Sequence, residues 1–283
     1  MKTLTTLFIL FISFSCTSQE FKVMSYNIRC GQCDNNTPNS WTNRKDLVLN
    51  VIKKDNPDLI GFQEMITEQR DWLLTQMPEY AVYGSGREAD REGEGCYIFY
   101  KRALFSIDST TSATKWYSTT PDVAGSGDMG DLYKRIITYA HLKMVTSGDK
   151  FYFFNTHLTY LPEIQVAHIS LLNRIIKETI QNDEPFFLSG DFNADENSDA
   201  IKLLTRDFES KPLIDSYREI HPAEELSTFN FFTGEKDGKK IDYIFIDGSA
   251  FKTIEAECTT TIVEGKYPSD HYPMTARLKI EKH

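Results

Sequence analysis

The stretch Pro185-Phe186-Phe187-Leu188-Ser189-Gly190-Asp191-Phe192-Asn193-Ala194 decides how this chain folds. Its apolar start reads as a short buried strand, which ends on Ser189-Gly190-Asp191. Buried strands deliver their terminal residues to a common sheet edge, where a carboxylate is costly unless a cation or hydrogen bonds compensate it. The same design recurs in Asp58-Leu59-Ile60-Gly61-Phe62-Gln63-Glu64 and in Phe151-Tyr152-Phe153-Phe154-Asn155-Thr156-His157. Strand ends that keep carrying polar groups point to a site assembled along one edge.

Outward from that stretch, the preceding residues 162–180 form an amphipathic helical segment with Pro162 in its first turn. Residues 21–27 alternate into a strand, and Ser40 is placed to cap a helix whose Leu47, Val48, Val51 and Ile52 share a face. A second amphipathic stretch covers 68–77, and strands are expected at 58–63, 80–83, 96–100, 104–107, 135–143 and 150–155. Residues 241–246 and 272–280 complete the set. Strands and helices mix without strict βαβ alternation, which predicts an α+β sandwich of stacked sheets flanked by helices. No Pro/Gly/Ser-rich linker divides residues 20–283, so they read as one domain.

Of the 283 residues, 40% are hydrophobic and 13% aromatic, enough to bury a large core and to exclude disorder. The net charge of -10 argues against a broad basic face that would track nucleic acid. Residues 1–15 hold one Lys, an apolar run and then small residues, the layout of a secretory signal too short to span a bilayer. Ser13-Phe14-Ser15-Cys16 resembles a bacterial lipoprotein cleavage site, although Ser13 departs from the usual aliphatic residue; ordinary signal-peptidase cleavage nearby is the alternative. Residues 1–19 are therefore read as a signal peptide of lipoprotein type, and the protein as exported to the periplasm or outer membrane, touching membrane only through Cys16. Cys30-Gly31-Gln32-Cys33 is read as a loop pair, oxidised or free, because a zinc ribbon needs a second pair that Cys96 and Cys258 do not supply.

Taken singly, Asn27, Glu64, His157, Asp191, Asn193, Asp242, Asp270 and His271 are ordinary polar residues; most of them follow directly on an apolar run. Hydrolysis of a phosphate ester needs a cation on the phosphoryl oxygens, a deprotonated water and donors for the developing charge. These residue types supply all three, and their oxygen-rich character suits Mg²⁺ or Mn²⁺ better than zinc.

Asn27 in Ser25-Tyr26-Asn27-Ile28-Arg29, then Gln63-Glu64, Asn155-Thr156-His157-Leu158, Gly190-Asp191-Phe192-Asn193-Ala194, Ile241-Asp242-Tyr243-Ile244 and Ser269-Asp270-His271 occur in order. In these motifs the chain resembles the endonuclease/exonuclease/phosphatase superfamily, the deoxyribonuclease I-like fold, over nearly all of residues 21–278. The resemblance implies a four-layered α/β sandwich with two central mixed β-sheets, and assigns Glu64 as principal metal ligand with Asn27 and Asp270 contributing. It implies that Asp191 positions or deprotonates the attacking water, Asn193 donates to the phosphoryl oxygen, Asp242 orients His271, and His157 donates a proton or hydrogen bond. Glu94 is placed like the carboxylate that holds His157, and Arg135 like a phosphate-binding Arg, an exposed strand Arg being the alternative. The loop over residues 84–95, with Arg87 and Arg91, reads as a substrate-facing lip or a solvated turn, and His168 as partly packed on its helix. The expected function is hydrolysis of a small phosphorylated metabolite or diester. Nucleic acid comes second, disfavoured by the acidic charge, and a lipid head group or a non-catalytic surface-tethered binding protein comes last; no protein partner is implied.

Overall fold

The computed structural model describes residues 20–206, 208, 211–234 and 238–281. The signal segment and Cys16 lie outside the described residues. In chain order the elements are β1 (Glu20–Asn27), α1 (Trp41–Asp55), β2 (Leu59–Met65), α2 (Thr67–Gln76), β3 (Tyr80–Tyr83) and β4 (Gly95–Lys101). There follow β5 (Phe105–Trp116), β6 (Ile136–Met144), β7 (Lys150–His157), α3 (Pro162–Thr179), β8 (Phe186–Asp191) and α4 (Asp199–Arg206). The last are β9 (Ile214–Asp215), α5 (Ser216–Ile220), β10 (Asp242–Ile246), β11 (Phe251–Cys258) and β12 (Met274–Ile280).

These strands make two six-stranded sheets, ordered β11-β12-β1-β2-β4-β3 and β5-β6-β7-β8-β10-β9. Both are mixed: β1 runs parallel to β2 and β7 parallel to β8, while the other pairings are antiparallel. The run Phe151-Tyr152-Phe153-Phe154 shows why sequence alternation is weak here. Phe151 and Phe153 enter the core between the sheets with Phe21, Phe105, Phe187 and Phe251, whereas Tyr152 and Phe154 face the core under α3 and α4. A strand covered on both faces has no polar side to display. Met24, Tyr26, Ile60 and Phe62 pack in the same way outward against α1 and α2 through Trp41, Val48, Ile52 and Leu73. Helices, sheet, sheet and helices thus form the expected four layers.

Toward the site, the contact between the sheets turns polar. Gln63 donates to Asn155 Oδ1 at 2.7 Å, Ser189 Oγ donates to the same oxygen at 3.0 Å, and Asn155 Nδ2 donates to the Phe62 carbonyl at 2.8 Å. Gly61 is required there, because a Cβ on it would stand 2.2 Å from Ser189 Oγ.

Several local expectations are corrected. Ser40 occupies the N-cap position of α1, but its side chain makes no capping bond. β5 runs for 12 residues rather than four, broken by a register irregularity between Asp108 and Ala113. β11 is an edge strand whose exposed Lys252, Glu255 and Glu257 conceal the buried Phe251, Thr253 and Ala256. The helix residue His168 is more than partly packed, at 1% exposure.

Candidate active site

Asn27, Glu64, His157 and Asp191 stand at or beside the C-terminal ends of β1, β2, β7 and β8, as buried parallel strands require. Asp242, Asp270 and His271 reach the same edge from the opposite direction. Asp242 starts β10, which is antiparallel to β8 and sets Asp242 opposite Asp191, and the Asp270–His271 pair precedes β12, antiparallel to β1.

Glu64 owes its aim to a local defect. The pairing of β2 with β4 slips between Phe62 and Met65, and Glu64 adopts φ 58°. A bulge of this kind re-aims a side chain at a strand end, and a left-handed glutamate carries strain that the surroundings must hold. The hold is visible: Glu64 Oε1 accepts from Asn27 Nδ2 at 3.0 Å and Oε2 from the Cys30 backbone N–H at 3.2 Å. Arg29 and Asn193 are also left-handed, at φ 58° and 50°.

The centre is Asp191, fully buried. Its Oδ2 accepts from Asn27 Nδ2 at 2.9 Å and lies 3.4 Å from His157 Nε2 and 3.7 Å from His271 Nε2, while Oδ1 accepts the Asn193 backbone N–H at 2.9 Å. Burial, reinforced by the neighbouring Asp242 charge, pushes the Asp191 carboxyl up to about 7 against the pull of His271. The two histidines are driven apart. His271 loses by burial but gains more from Asp242, whose Oδ2 lies 2.9 Å from its Nδ1, and from Asp191, so its pKa rises well above the ordinary value and the ring is cationic. Burial, with Arg135 and the His271 charge nearby, depresses His157 well below that value and keeps it neutral. Asn193 Nδ2 bridges His157 Nε2 and the Leu158 carbonyl, both at 3.0 Å.

The donor set fits a hard divalent cation. Glu64, His157 and Asp191 offer ligand atoms within 4.8 Å of one another, and Asp191, Asp242 and His271 do likewise. On the side of Asn27 and Glu64, Asp270 is also raised, first by burial and less by Glu64, against the pull of His271 and Arg29. At present the Arg29 guanidinium stands there, 3.9 Å from Glu64 and 3.7 Å from Asp270. Cys30 and Cys33, near Glu94, form a disulfide and offer no metal ligand.

One expectation changes and one alternative falls. Glu94 does not hold His157: its carboxylate is gripped by Arg87 through two bonds of 2.9 Å, in the loop over residues 84–95. Arg135 is not an exposed strand residue but is 6% exposed, just ahead of β6, with its Nε on Asp131 at 3.1 Å. Both line a recess together with Glu64, Lys134 and His157.

Sequence reasoning missed Arg44. From α1 it donates to the Ile28 carbonyl at 2.9 Å and the Pro268 carbonyl at 2.7 Å, tying together the loops that carry Arg29 and Asp270. Its signal was a cation on the apolar face of a helix, between Trp41 and Val48. Ser269, beside the Asp270–His271 pair, donates its Oγ hydroxyl to the Asn27 carbonyl at 2.7 Å and fixes the distance between the two loops.

Comparison with known proteins bears on the family and the fold. The sequence profile of the Endonuclease/Exonuclease/phosphatase family matches residues 24–271. An endonuclease/exonuclease/phosphatase from Bacteroides vulgatus superposes with a TM-score of 0.85 at 30% identity, covering 93% of this chain and 100% of that one. A mannosyl-6-phosphatase of Bacteroides thetaiotaomicron gives a TM-score of 0.80 at 28% identity, covering 91% and 99%. The 3'-5'-exoribonuclease subunit Ccr4 of the CCR4-Not complex of Schizosaccharomyces pombe is 21% identical over 93% of this chain, which spans only 49% of that protein's length. The chain belongs to the endonuclease/exonuclease/phosphatase family, whose members act as divalent-metal-dependent phosphoesterases.

Proposed function

We propose that the protein hydrolyses a small phosphate ester with Mg²⁺ or Mn²⁺. The observation that carries this is the clustering at Asp191: a buried carboxylate whose Oδ2 lies 3.4 Å and 3.7 Å from the Nε2 atoms of His157 and His271 and accepts from Asn27 Nδ2 at 2.9 Å. A group poised near neutral pH is suited to take a proton from water. Asn27, Glu64 and Asp270 would hold the metal, which supplies charge neutralisation at the phosphoryl oxygens. Asp191 orients the attacking water and takes its proton. His271, kept cationic by Asp242, stabilises the charge that develops, and its fixed Nδ1 leaves Nε2 directed at Asp191. Asn193 and His157 would bind the phosphoryl group by giving up the bond between Asn193 Nδ2 and His157 Nε2, and Arg135, bonded to Asp131, stands in the recess beside them.

A small ester is favoured over nucleic acid because the chain carries -10 and the cations beside the site are already paired. Tracking a polynucleotide backbone requires cations free to neutralise phosphates. Similarity to the Bacteroides mannosyl-6-phosphatase supports the same choice. The reading of residues 1–19 as an export signal supports a location outside the cytoplasm, and the Cys30–Cys33 disulfide supports an oxidising compartment. Mass spectrometry of the mature N-terminus tests export, an intact Met1 refuting it.

The purified protein is expected to hydrolyse p-nitrophenyl phosphate or its bis ester with Mg²⁺ or Mn²⁺, and to nick supercoiled plasmid poorly. Full activity in excess EDTA, or in Glu64→Ala, refutes the mechanism; efficient plasmid nicking refutes the choice of substrate.

A further inference from the structure

Shortly after Glu64 the chain enters α2, and Gln69 stands in the first turn of that helix, fully buried. Its Oε1 accepts the Ile66 backbone N–H at 3.1 Å. That bond alone is what a glutamine at a helix start ordinarily makes. The same oxygen also accepts the Gly31 N–H at 3.0 Å, and Nε2 donates to the Arg29 carbonyl at 3.0 Å. Neither of these bonds serves the helix. One side-chain amide therefore grips two segments at once, the one that follows β1 and the one that follows β2. The approach is close: a Cβ on Gly31 would stand 3.2 Å from Gln69 Cγ.

The grip sets a direction. The Arg29 carbonyl and the Cys30 N–H belong to one trans peptide unit, in which the two groups point opposite ways. With the carbonyl fixed on Gln69 Nε2, the Cys30 N–H is turned the other way, and there it meets Glu64 Oε2 at 3.2 Å. Arg44 Nη2 supports the same carbonyl from α1 at 3.3 Å, while the Gly31 N–H is given to Gln69.

Arg29 and Glu64 both sit at φ 58°. A left-handed residue with a side chain persists where its surroundings over-determine it. Gln69 holds backbone beside both: the carbonyl of Arg29 itself, and the N–H of Ile66 just beyond Glu64.

We propose that Gln69 is a positioning residue for metal binding. It acts through the Arg29–Cys30 peptide and the chain after Glu64, keeping the Glu64 carboxylate aimed in advance, so its loss weakens metal affinity more than turnover in the metal-saturated enzyme. This rests on the reading of Glu64 as a metal ligand given above.

The test measures Mn²⁺ binding without substrate, from the loss of the free-ion electron paramagnetic resonance signal, with circular dichroism to check folding. It compares the wild type with Glu64→Ala, Gln69→Met, Gln69→Asn and Leu73→Val. Gln69→Asn keeps the amide but is one methylene too short to reach both segments, and Leu73→Val trims the buried packing of the same helix. Both Gln69 variants are expected to raise the Kd for Mn²⁺ about tenfold, with KM for p-nitrophenyl phosphate at saturating Mn²⁺ changed less than about twofold. Leu73→Val is expected to lower Tm and leave the Kd near the wild-type value. The proposal is overturned if either folded Gln69 variant binds Mn²⁺ as tightly as the wild type, if Leu73→Val weakens binding as much, or if neither Gln69 variant folds, which confines Gln69 to the frame of α2. A wild type that binds no Mn²⁺, or a Glu64→Ala that binds it unchanged, overturns instead the reading of Glu64 as a ligand, and the inference with it.

Discussion

His168 makes the stability of this protein depend on acid in a way that can be worked out. On α3 it is 1% exposed, its ring stacks on Tyr117 at 4.5 Å, and neither ring nitrogen has a hydrogen-bond partner. Burial lowers its pKa from 6.5 to about 4, with Arg135 adding to the effect and Asp131 opposing it. Above pH 6.5 the ring is neutral both folded and unfolded, and its titration costs nothing. As the pH falls below 6.5, the unfolded chain takes up a proton that the folded chain refuses, so folding loses about 1.4 kcal/mol per pH unit. The loss levels off near the folded value of about 4, where it amounts to about 3 kcal/mol. His168→Phe keeps the stack on Tyr117 and removes the titration. The difference in unfolding free energy between variant and wild type, from urea melts at half-unit steps, should be level above pH 7 and climb in favour of the variant by about 3 kcal/mol toward pH 4. A difference that stays level across the range, or an NMR titration of His168 near its ordinary value, would refute the reasoning. The site is involved indirectly: the Tyr117 hydroxyl meets Thr156 Oγ1 at 2.9 Å, next to His157.

Asp242→Asn removes the charge beside His271 Nδ1, 2.9 Å away, and is expected to lower kcat on the order of 10²- to 10⁴-fold with little change in KM; a variant within twofold of wild type on p-nitrophenyl phosphate contradicts that role. Gly61→Ala puts a methyl group 2.2 Å from Ser189 Oγ and 2.6 Å from Asn155 Oδ1. Overpacking of that kind costs about 1–3 kcal/mol, seen as a lowered Tm that Ser189→Ala in the same chain should partly restore. Arg44→Met keeps most of the volume but leaves the Ile28 and Pro268 carbonyls unpaired, each costing about 1–3 kcal/mol. Because the loops carrying Arg29 and Asp270 then lose their tie, the Mn²⁺ concentration for half-maximal activity should rise; an unchanged metal requirement would confine Arg44 to a purely structural role.

The residues at the active edge were legible because each signal is local. An apolar run followed within three residues by Glu64, His157 or Asp191 states that a buried strand ends on a polar group, and that is a property of neighbouring residues. The same local signal hides direction. Asp242 and Asp270 enter from antiparallel strands, and nothing near them in sequence says so; the alignment of β10 on β8 sets Asp242 opposite Asp191. Glu94 illustrates the complementary failure: its place in the chain suggested His157, but Arg87, seven residues away on the same loop, is the partner that its geometry allows.

The sequence by itself determined the layers, since strands apolar on both faces and helices apolar on one can bury their surfaces only by stacking sheets between helices. It also determined which residue types reach the site. Tertiary structure alone decided how they act: the bulge and left-handed turn that aim Glu64, the Arg44 tie between two loops, and the opposite pKa shifts of His157 and His271. Those depend on distances between segments 29 to 224 residues apart in the chain, and electrostatic effects in a buried site change steeply with such distances.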